Sequence, residues 1–286
     1  MREISALLLI VATTLLASGC ATMEQISPRQ HSRFTGDETL PSLVFIHGVY
    51  HDSWAFDEFK NSFLHRGYPC SLVDLRGHKT EPRVKPNSQV GYKEYLADVA
   101  DTLDEIEGGK VLIGHSLGGL LALSLSERKD VLGNVLISTP LPAALRNKQL
   151  RLIAEHPINS TRFLLTGNAA SLYHDTQFTD RYFFSKYTSN QAKASAHQRI
   201  HSQHEPAQLF RDIMKLKFES SGRALPTLIV LGSEDPTVTS SVGAQLQRLT
   251  NGTIITVPQS GHDIMLEDTS EIAAGAILEW LSMQKW

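Results

Sequence analysis

A turn of small residues around a single hydroxyl, at positions 111–123 (VLIGHSLGGLLAL), constrains the fold of this chain more than any other feature. The apolar run before the turn has the length of a buried strand, and the apolar run after it has helical composition. Gly114 and Gly118 flank Ser116, and such glycines allow a strand and the following helix to approach closely. The pattern predicts a strand–turn–helix that presents the Ser116 hydroxyl at the carboxyl edge of a sheet. The alternative is a glycine-bearing turn whose serine has no chemical role.

Strand-like and helix-like segments alternate on both sides of this turn. Strands are predicted at 42–48, 68–75, 110–116, 131–139, 225–235 and 253–262, and helices at 54–67, 92–109, 117–129, 238–252 and 270–286. This alternation is typical of strand–helix–strand units and favours the α/β class, with a mostly parallel sheet covered by helices on both faces. Positions 141–220 offer polar helical segments and no strand candidate, so we expect a helical cap inserted there.

The hydroxyl at the turn needs two partners before it can react. A serine becomes a strong nucleophile only when a base removes its proton and an acid orients that base. Asp235 follows a predicted strand, and His262 follows the next strand along the chain. We expect both side chains at the sheet edge that carries the serine. Glu234 is a rival for the acid, and Asp263 and Asp268 are weaker rivals because they follow the histidine without an intervening strand.

An acyl intermediate also requires two hydrogen-bond donors for its oxyanion. The backbone N–H of Leu117, at the start of the helix after the turn, is one candidate. The loop after the first strand, FIHGVYHDSW, supplies the other, because Gly48 lets the chain turn and the N–H of Val49 is expected to point inward. We interpret His47 as a residue that braces this loop and not as the catalytic base.

Five segments occur in the order and spacing of the α/β-hydrolase superfamily across residues 42–286: HGVYHDSW, VDLRGHKTE, GHSLGGL, LGSEDPTV and SGHDIMLED. The first of them, together with FLHRGYPCSLVDLRGH, most resembles the branch of small-ester carboxylesterases, methyl esterases and hydroxynitrile lyases. The resemblance implies an α/β-hydrolase fold with a helical cap and no cofactor. It also implies a catalytic triad of Ser116, Asp235 and His262 and an oxyanion hole formed by Val49 and Leu117.

Two positions separate this chain from the lyases of that branch. The lyases have threonine where this chain has Gly48, and a lysine after the catalytic histidine where this chain has Asp263. A carboxylate cannot replace an ammonium that stabilises cyanide, so both positions favour a hydrolase of carboxylic esters. Ser116 excludes haloalkane dehalogenases, which need a carboxylate at the turn. The alternatives are a lyase-like or peroxidase-like enzyme with the same triad, or a non-catalytic binding protein of the cell envelope.

The first nineteen positions resemble a secretory signal peptide. The uncharged core at 4–19 is short for a membrane span and ends in LLASGC, which resembles the lipobox of bacterial lipoproteins. That resemblance implies lipidation of Cys20 and, from Ala21, a place at the outer membrane facing the periplasm. The alternative is an ordinary cleaved signal peptide with an incidental Cys20. We expect a tether at 20–40 and the hydrolase domain at 41–286, with its cap at about 141–220.

Composition and the remaining side chains add further expectations. The formal net charge of −3 provides no basic field, which argues against a nucleic-acid partner and leaves a small-molecule or lipid ester. Cys70 stands in an apolar strand and is expected to be buried without a disulfide. The cap histidines favour a polar cap face over a metal site: His156, His174, His197, His201 and His204, with Glu205 beside them. Apolar cap residues are candidates for an acyl pocket: Phe163, Leu164, Leu165, Tyr182, Phe183, Phe184 and Tyr187.

Overall fold

The computed structural model describes residues 29–79, 85, 88–146, 157–158, 176–220 and 223–286. The predicted signal segment and Cys20 lie outside the described residues. The same holds for some of the predicted cap residues: His156, Phe163, Leu164, Leu165 and His174. Within the described ranges, no helix is both long enough and apolar enough to cross a membrane.

One sheet organises the described part of the chain. Its strands are β1 (Gln30–Phe34), β2 (Ser42–Ile46), β3 (Cys70–Asp74), β4 (Lys110–His115), β5 (Val131–Ile137), β6 (Thr227–Gly232) and β7 (Thr253–Val257). Their order across the sheet is β1-β3-β2-β4-β5-β6-β7. Strand β1 pairs antiparallel with β3, and every other pairing is parallel. The predicted α/β class with a mostly parallel sheet is confirmed.

The edge strand β1 corrects the prediction of a tether over residues 20–40. Residues 30–34 pair with β3 from Gln30 opposite Asp74 to Phe34 opposite Cys70. Arg29, just before the strand, donates a hydrogen bond of 2.5 Å to Glu105. Backbone pairing holds this strand, and its mostly polar sequence buries little apolar surface. A hydrophobic pattern therefore could not reveal it.

Helices cover both faces of the sheet. They are α1 (Phe59–Leu64), α2 (Tyr92–Asp104), α3 (Leu117–Ser124), α4 (Thr176–Phe183), α5 (Asn190–Ser202), α6 (Ala207–Ile213), α7 (Ser240–Thr250) and α8 (Ser270–Ser282), with 3-10 turns at Ser53–Phe56 and Ile264–Leu266. The helix predicted at 54–67 is thus two elements. Asp52 begins the first of them, because its carboxylate accepts the Trp54 N–H at 2.9 Å.

Alternate residues of the strands build two cores. Val44 and Leu112 face the core covered by α2, α3 and α7, whereas Phe45 and Ile113 face the core covered by α1 and α8. Cys70 is buried in the second core, where burial raises the pKa of its thiol to about 12. It is a free cysteine, as predicted, and packs as a small apolar side chain.

The predicted cap ends earlier than position 220. Helices α4 and α5 contribute to a separate aromatic cluster, but α6 packs on α2 through Leu209 and Ile213, which belong to the first core. The Asp212 carboxylate also accepts the Tyr92 N–H at 3.2 Å. Helix α6 therefore belongs to the body of the fold, although its sequence is as polar as that of the cap segments before it.

Candidate active site

The turn at Ser116 is as tight as its sequence predicts. Ser116 lies between β4 and α3 with φ +50°, in the left-handed region that non-glycine residues rarely adopt. A Cβ on Gly118 would collide with the Ile46 carbonyl of β2, and one on Gly114 would collide with the backbone of Gly118. Only glycine fits these two positions, so the sequence of the turn forces Ser116 into a strained, fixed conformation.

Ser116, His262 and Asp235 form a continuous chain of hydrogen bonds. His262 Nε2 lies 3.1 Å from Ser116 Oγ, and His262 Nδ1 lies 2.8 Å from Asp235 Oδ2. All three side chains are buried. Each follows a different parallel strand, β4, β6 or β7, which is why residues far apart in sequence meet at one edge of the sheet.

Asp235 is held as a carboxylate. Burial alone would raise its pKa, but the neighbouring His262 and the N–H groups of Val238 and Thr237 lower the pKa below its ordinary value. These two N–H groups bind Oδ1 at 3.0 and 2.7 Å. The ionised Asp235 can therefore accept a hydrogen bond from the Nδ1–H of His262, which leaves Nε2 free to accept the Ser116 proton.

The rival acids lie elsewhere. Glu234 is partly exposed, and its carboxylate lies 3.6 Å from the Lys186 ammonium. Asp268 accepts a hydrogen bond from the Ser189 N–H at 2.6 Å. Asp263 is fully buried and pairs with His51 instead of His262. Of the candidate acids, Asp235 is the one that the structure places on the base.

The two predicted oxyanion donors belong to peptide groups next to Ser116 in the fold. Leu117 is the first residue of α3, and N–H groups of the first turn have no acceptor within a helix. On the other side, Gly48 packs so closely against the turn that a Cβ there would lie 3.1 Å from Ser116 Cβ and 2.8 Å from His115 Nδ1. The Gly48–Val49 peptide group is therefore a direct neighbour of the nucleophile.

His47 braces the loop, as its position in the sequence predicts. Its Nδ1 donates to the Gly48 carbonyl at 2.9 Å, and its Nε2 accepts the Leu75 N–H at 3.2 Å. Burial, and then the nearby His78, lower the pKa of His47 to about 4. The ring is thus a neutral imidazole that needs both of its nitrogens for structure.

A second histidine of the loop, His51, forms a buried ion pair that the sequence did not reveal. Its Nδ1 donates to the Val49 carbonyl at 2.8 Å, and its Nε2 lies 3.1 Å from Asp263 Oδ2. Because a carbonyl can only accept, Nε2 must also carry a proton to bind the carboxylate. Burial opposes that charge, but Asp263 raises the pKa of His51 above its ordinary value.

His115 completes this cluster. Its Nε2 donates to the His262 carbonyl at 3.2 Å and lies 3.4 Å from Asp263. Burial, and then the neighbouring His262 and His51, lower the pKa of His115 well below its ordinary value. Side-chain atoms of His51, His115 and Asp263 lie within 4.8 Å of one another, close enough to share a metal ion. The proton on His51 binds one carboxylate oxygen, Oδ2, whereas Asp263 Oδ1 and His115 Nδ1 are buried without a hydrogen-bond partner among the described residues.

Glu205 is buried beside the candidate site, although the sequence predicted it on a polar, solvated face of the cap. The polar stretch HQRIHSQHE suggested a solvated cap face, yet the Glu205 side chain is inaccessible to solvent. Its carboxylate accepts hydrogen bonds from His78 Nε2 at 3.1 Å, the Tyr95 hydroxyl at 3.1 Å and the Tyr50 N–H at 2.9 Å. A single glutamate among polar residues carries no local signal of burial.

Other cap side chains reach the site or turn away from it. The Phe183 ring lies edge-on to His262 at 6.1 Å, and its carbonyl accepts the His262 N–H at 3.0 Å. Tyr187 is half exposed, which removes it from the predicted pocket lining. His197 binds Asp180 at 2.7 Å, and His201 lies 3.2 Å from the Thr179 hydroxyl. These two histidines therefore have different polar partners.

Comparisons with known proteins show the family and the fold of this chain. A model of the alpha/beta hydrolase family matches residues 43–275. The sn-1-specific diacylglycerol lipase ABHD11 of Mus musculus is 24% identical over 249 residues, which are 82% of this chain and 79% of that protein. The pyrethroid hydrolase of Sphingobium wenxiniae is 36% identical over 81 residues, 28% of this chain and 29% of its own. The structure of a thermophilic esterase from Thermogutta terrifontis superposes with a TM-score of 0.68 at 20% identity, covering 92% of this chain and 95% of that one.

Proposed function

The chain belongs to the alpha/beta hydrolase family, and on that premise we propose that it is a serine hydrolase that cleaves carboxylic esters through an acyl-enzyme. One observation carries the proposal: the hydrogen bonds that run from Asp235 through His262 to Ser116. A serine held in this way has the base that its activation requires and the acid that keeps the base in the right tautomer.

Acylation uses the geometry in a fixed order. His262 Nε2 removes the Ser116 proton as Oγ attacks the ester carbonyl, and Asp235 stabilises the imidazolium that forms. The carbonyl oxygen becomes an oxyanion, which the N–H groups of Val49 and Leu117 bind. When the intermediate collapses, the bond to the alkoxide oxygen breaks and His262 passes its proton to the leaving alcohol.

Deacylation repeats these steps with water. His262 removes a proton from a water molecule that attacks the acyl carbonyl, and the same two N–H groups bind the second oxyanion. Collapse of this intermediate returns the proton to Ser116 Oγ and releases the carboxylic acid. Each step needs a neutral His262 at its start, so the relay to Asp235 is used twice in every turnover.

An ester substrate fits the site better than a cyanohydrin does. The residue after the base, Asp263, is fully buried and bound to His51. The position therefore holds a carboxylate within a closed ion pair, and not the lysine ammonium that stabilises a cyanide anion in the lyases. Two relatives, a diacylglycerol lipase and a pyrethroid hydrolase, are consistent with hydrolysis of a carboxylic ester by this chain.

The test is hydrolysis of p-nitrophenyl esters from acetate to palmitate by the full-length chain. We expect Ser116→Ala to lower kcat by at least ~10³-fold, since it removes the nucleophile. Ser124→Ala, an exposed serine on the same helix α3, is the matched control and should retain full activity. Equal activity of wild type and Ser116→Ala would overturn the proposal, and so would a folded wild type that turns over no ester.

We also propose that the chain is lipid-anchored through Cys20 in a bacterial envelope, at the outer membrane facing the periplasm. The support is the LLASGC sequence after an uncharged core. Mass spectrometry of the protein recovered from membranes tests it, with Cys20→Ala as the variant and Cys70→Ala as the control. A lipid adduct on wild type and Cys70→Ala alone supports the anchor. An unmodified wild type released as a soluble protein contradicts it.

A further inference from the structure

The oxyanion loop, defined here as residues 47–52, is held by side chains from distant parts of the fold. Val49 lies between two peptide groups, and its N–H belongs to the first of them. The direction of that N–H depends on the orientation of both groups, because together they fix the backbone on either side of the Val49 Cα. Each group has its own buried partners.

The peptide group between Gly48 and Val49 is bound at its carbonyl. His47 Nδ1 donates to the Gly48 oxygen at 2.9 Å. In a trans peptide the N–H points opposite to the carbonyl, so this hydrogen bond directs the Val49 N–H away from His47. The partner of this group comes from within the loop itself.

The peptide group between Val49 and Tyr50 is bound at both ends. His51 Nδ1 donates to the Val49 carbonyl at 2.8 Å, and the Tyr50 N–H donates to Glu205 at 2.9 Å. Tyr50 has φ +63°, a left-handed conformation that costs of order 1 kcal/mol for a side chain of this size. Such a conformation persists only while surrounding contacts maintain it, and Glu205 is the contact at this N–H.

Glu205 comes from the cap side of the molecule. It follows α5 by three residues and precedes α6. Two residues before it, the buried Gln203 donates to the Asp52 carboxylate at 2.9 Å. The segment 203–205 is therefore seated on the oxyanion loop through two buried side chains, and one of them binds the backbone next to Val49.

We propose that Glu205 is a positioning residue for the oxyanion hole. Through Glu205, the contact between the segment 203–205 and the oxyanion loop sets the orientation of the Val49 N–H. The proposal rests on the proposed function, since an oxyanion hole has a role only in acyl transfer. The carboxylate keeps Tyr50 in its left-handed conformation, and His78 and Tyr95 hold the carboxylate in place. When the segment 203–205 leaves the loop, the Val49–Tyr50 peptide loses its acceptor and the hole loses its fixed geometry.

Two variants of Glu205 and one matched control separate positioning from simple cap packing. Glu205→Leu removes the acceptor, and we expect kcat for p-nitrophenyl esters to fall by about 10- to 100-fold with KM within about threefold. Glu205→Gln keeps an amide oxygen for the Tyr50 N–H and should restore kcat to within about fivefold of wild type. Gln203→Leu removes the neighbouring buried contact to Asp52 and should leave kcat within about threefold.

A second measurement does not depend on turnover. Hydrogen exchange at the Tyr50 amide should quicken by about 10-fold or more in Glu205→Leu and should be unchanged in Gln203→Leu. Should Glu205→Leu fail to fold, Glu205→Asp keeps the charge opposite His78 but ends one methylene short of the Tyr50 N–H. This variant should show the same faster exchange and a loss of kcat of about 10-fold.

The outcomes distinguish this proposal from the proposed function. An inactive wild type overturns the proposed function, while the exchange of the Tyr50 amide still tests the contact to Glu205. An active wild type in which Glu205→Leu and Gln203→Leu lose kcat equally overturns positioning by Glu205 alone. Unchanged Tyr50 exchange in both Glu205→Leu and Glu205→Asp overturns it as well. Loss of kcat and faster exchange confined to the Glu205 variants, with rescue by glutamine, support it.

Discussion

The two halves of the candidate site are built by different physics. The turn that carries Ser116 is fixed by steric exclusion, since Gly114 and Gly118 leave no room for a Cβ against backbone atoms of the turn and of β2. The oxyanion loop is fixed by its own histidines, His47 and His51, and these histidines and Tyr50 in turn bind polar groups that lie between 28 and 212 positions away along the chain. The comparison teaches that a nucleophile can be placed by local packing, whereas its oxyanion donors here depend on the assembled fold.

The largest effect is expected at the acid of the triad. Asp235→Asn keeps the shape of the side chain but lets an amide N–H face His262 Nδ1, which favours the tautomer that cannot accept the Ser116 proton. We expect kcat to fall by about 10⁴-fold. Steady-state hydrolysis of a p-nitrophenyl ester measures it, with Glu234→Gln as the adjacent control. A larger loss in Glu234→Gln than in Asp235→Asn would show that the relay is assigned to the wrong acid.

The steric control of the turn at Ser116 is tested by substituting Gly118. Gly118→Ala places a Cβ against the Ile46 carbonyl, and we expect the free energy of unfolding to fall by more than about 3 kcal/mol, because backbone must move to relieve the clash. Gly275→Ala, in helix α8 with open space around the new Cβ, should stabilise the protein by about 0.5–1 kcal/mol. Urea denaturation compares the two. Similar stabilities for both variants would refute steric control of the turn.

The electrostatic control of the oxyanion loop is tested by changing the pH. His47 has its pKa lowered to about 4 in the folded protein, against about 6.5 when unfolded. As pH falls from 6.5 through 4, His47 takes up a proton in the unfolded chain but stays neutral in the folded protein. The free energy of unfolding therefore falls by about 3 kcal/mol. His115, whose pKa is also lowered, adds to this loss. The raised pKa values of His51 and His78 act in the opposite window, because their contribution is complete below pH 6.5 and is lost only at higher pH.

Urea denaturation at pH 6.5 and pH 4.5 measures the acid loss. His47→Asn should lose less free energy of unfolding between these two pH values than wild type, since asparagine does not take up a proton in either state. His65→Asn, an exposed histidine of the same protein, should leave the loss unchanged. An identical fall in the free energy of unfolding in wild type and His47→Asn would show that His47 is not a neutral buried brace of the loop.

The smallest expected effect concerns metal. The groups of His51, His115 and Asp263 are spaced closely enough for an ion, but a proton on His51 already neutralises the charge of the carboxylate that it binds. We therefore expect kcat and the midpoint of thermal unfolding to be unchanged after dialysis against EDTA, and unchanged again when Zn²⁺ is restored. A fall in kcat or in the unfolding midpoint with EDTA that Zn²⁺ reverses would show a metal site in place of the ion pair. The oxyanion loop would then be held by a metal ion as well as by hydrogen bonds.

The sequence is sufficient for the parts of the molecule that local pattern controls. Apolar strands predict the parallel sheet, glycines predict the turn at Ser116, and strand ends predict that Asp235 and His262 meet there. Glu205, His51 and Asp263 are different, since their pairing appears only when loops from separate strands and the cap converge. Nothing in the stretches around them, YHDSW, QHEP and GHDIM, marks these three side chains as buried partners of distant groups. The strand β1 escaped prediction for a related reason, because backbone pairing and not apolar burial holds it.

The most direct test of the account is covalent labelling of Ser116 by a fluorophosphonate, read by the intact mass of the protein. A serine activated by His262 should take up one equivalent, and the adduct should map to the peptide that contains Ser116. The Ser116→Ala variant should take up none, and Asp235→Asn should react at least about 10²-fold more slowly than wild type. Labelling of Ser116→Ala to the same extent as wild type, or a folded wild type that does not react, would contradict the assignment of Ser116 as the activated nucleophile.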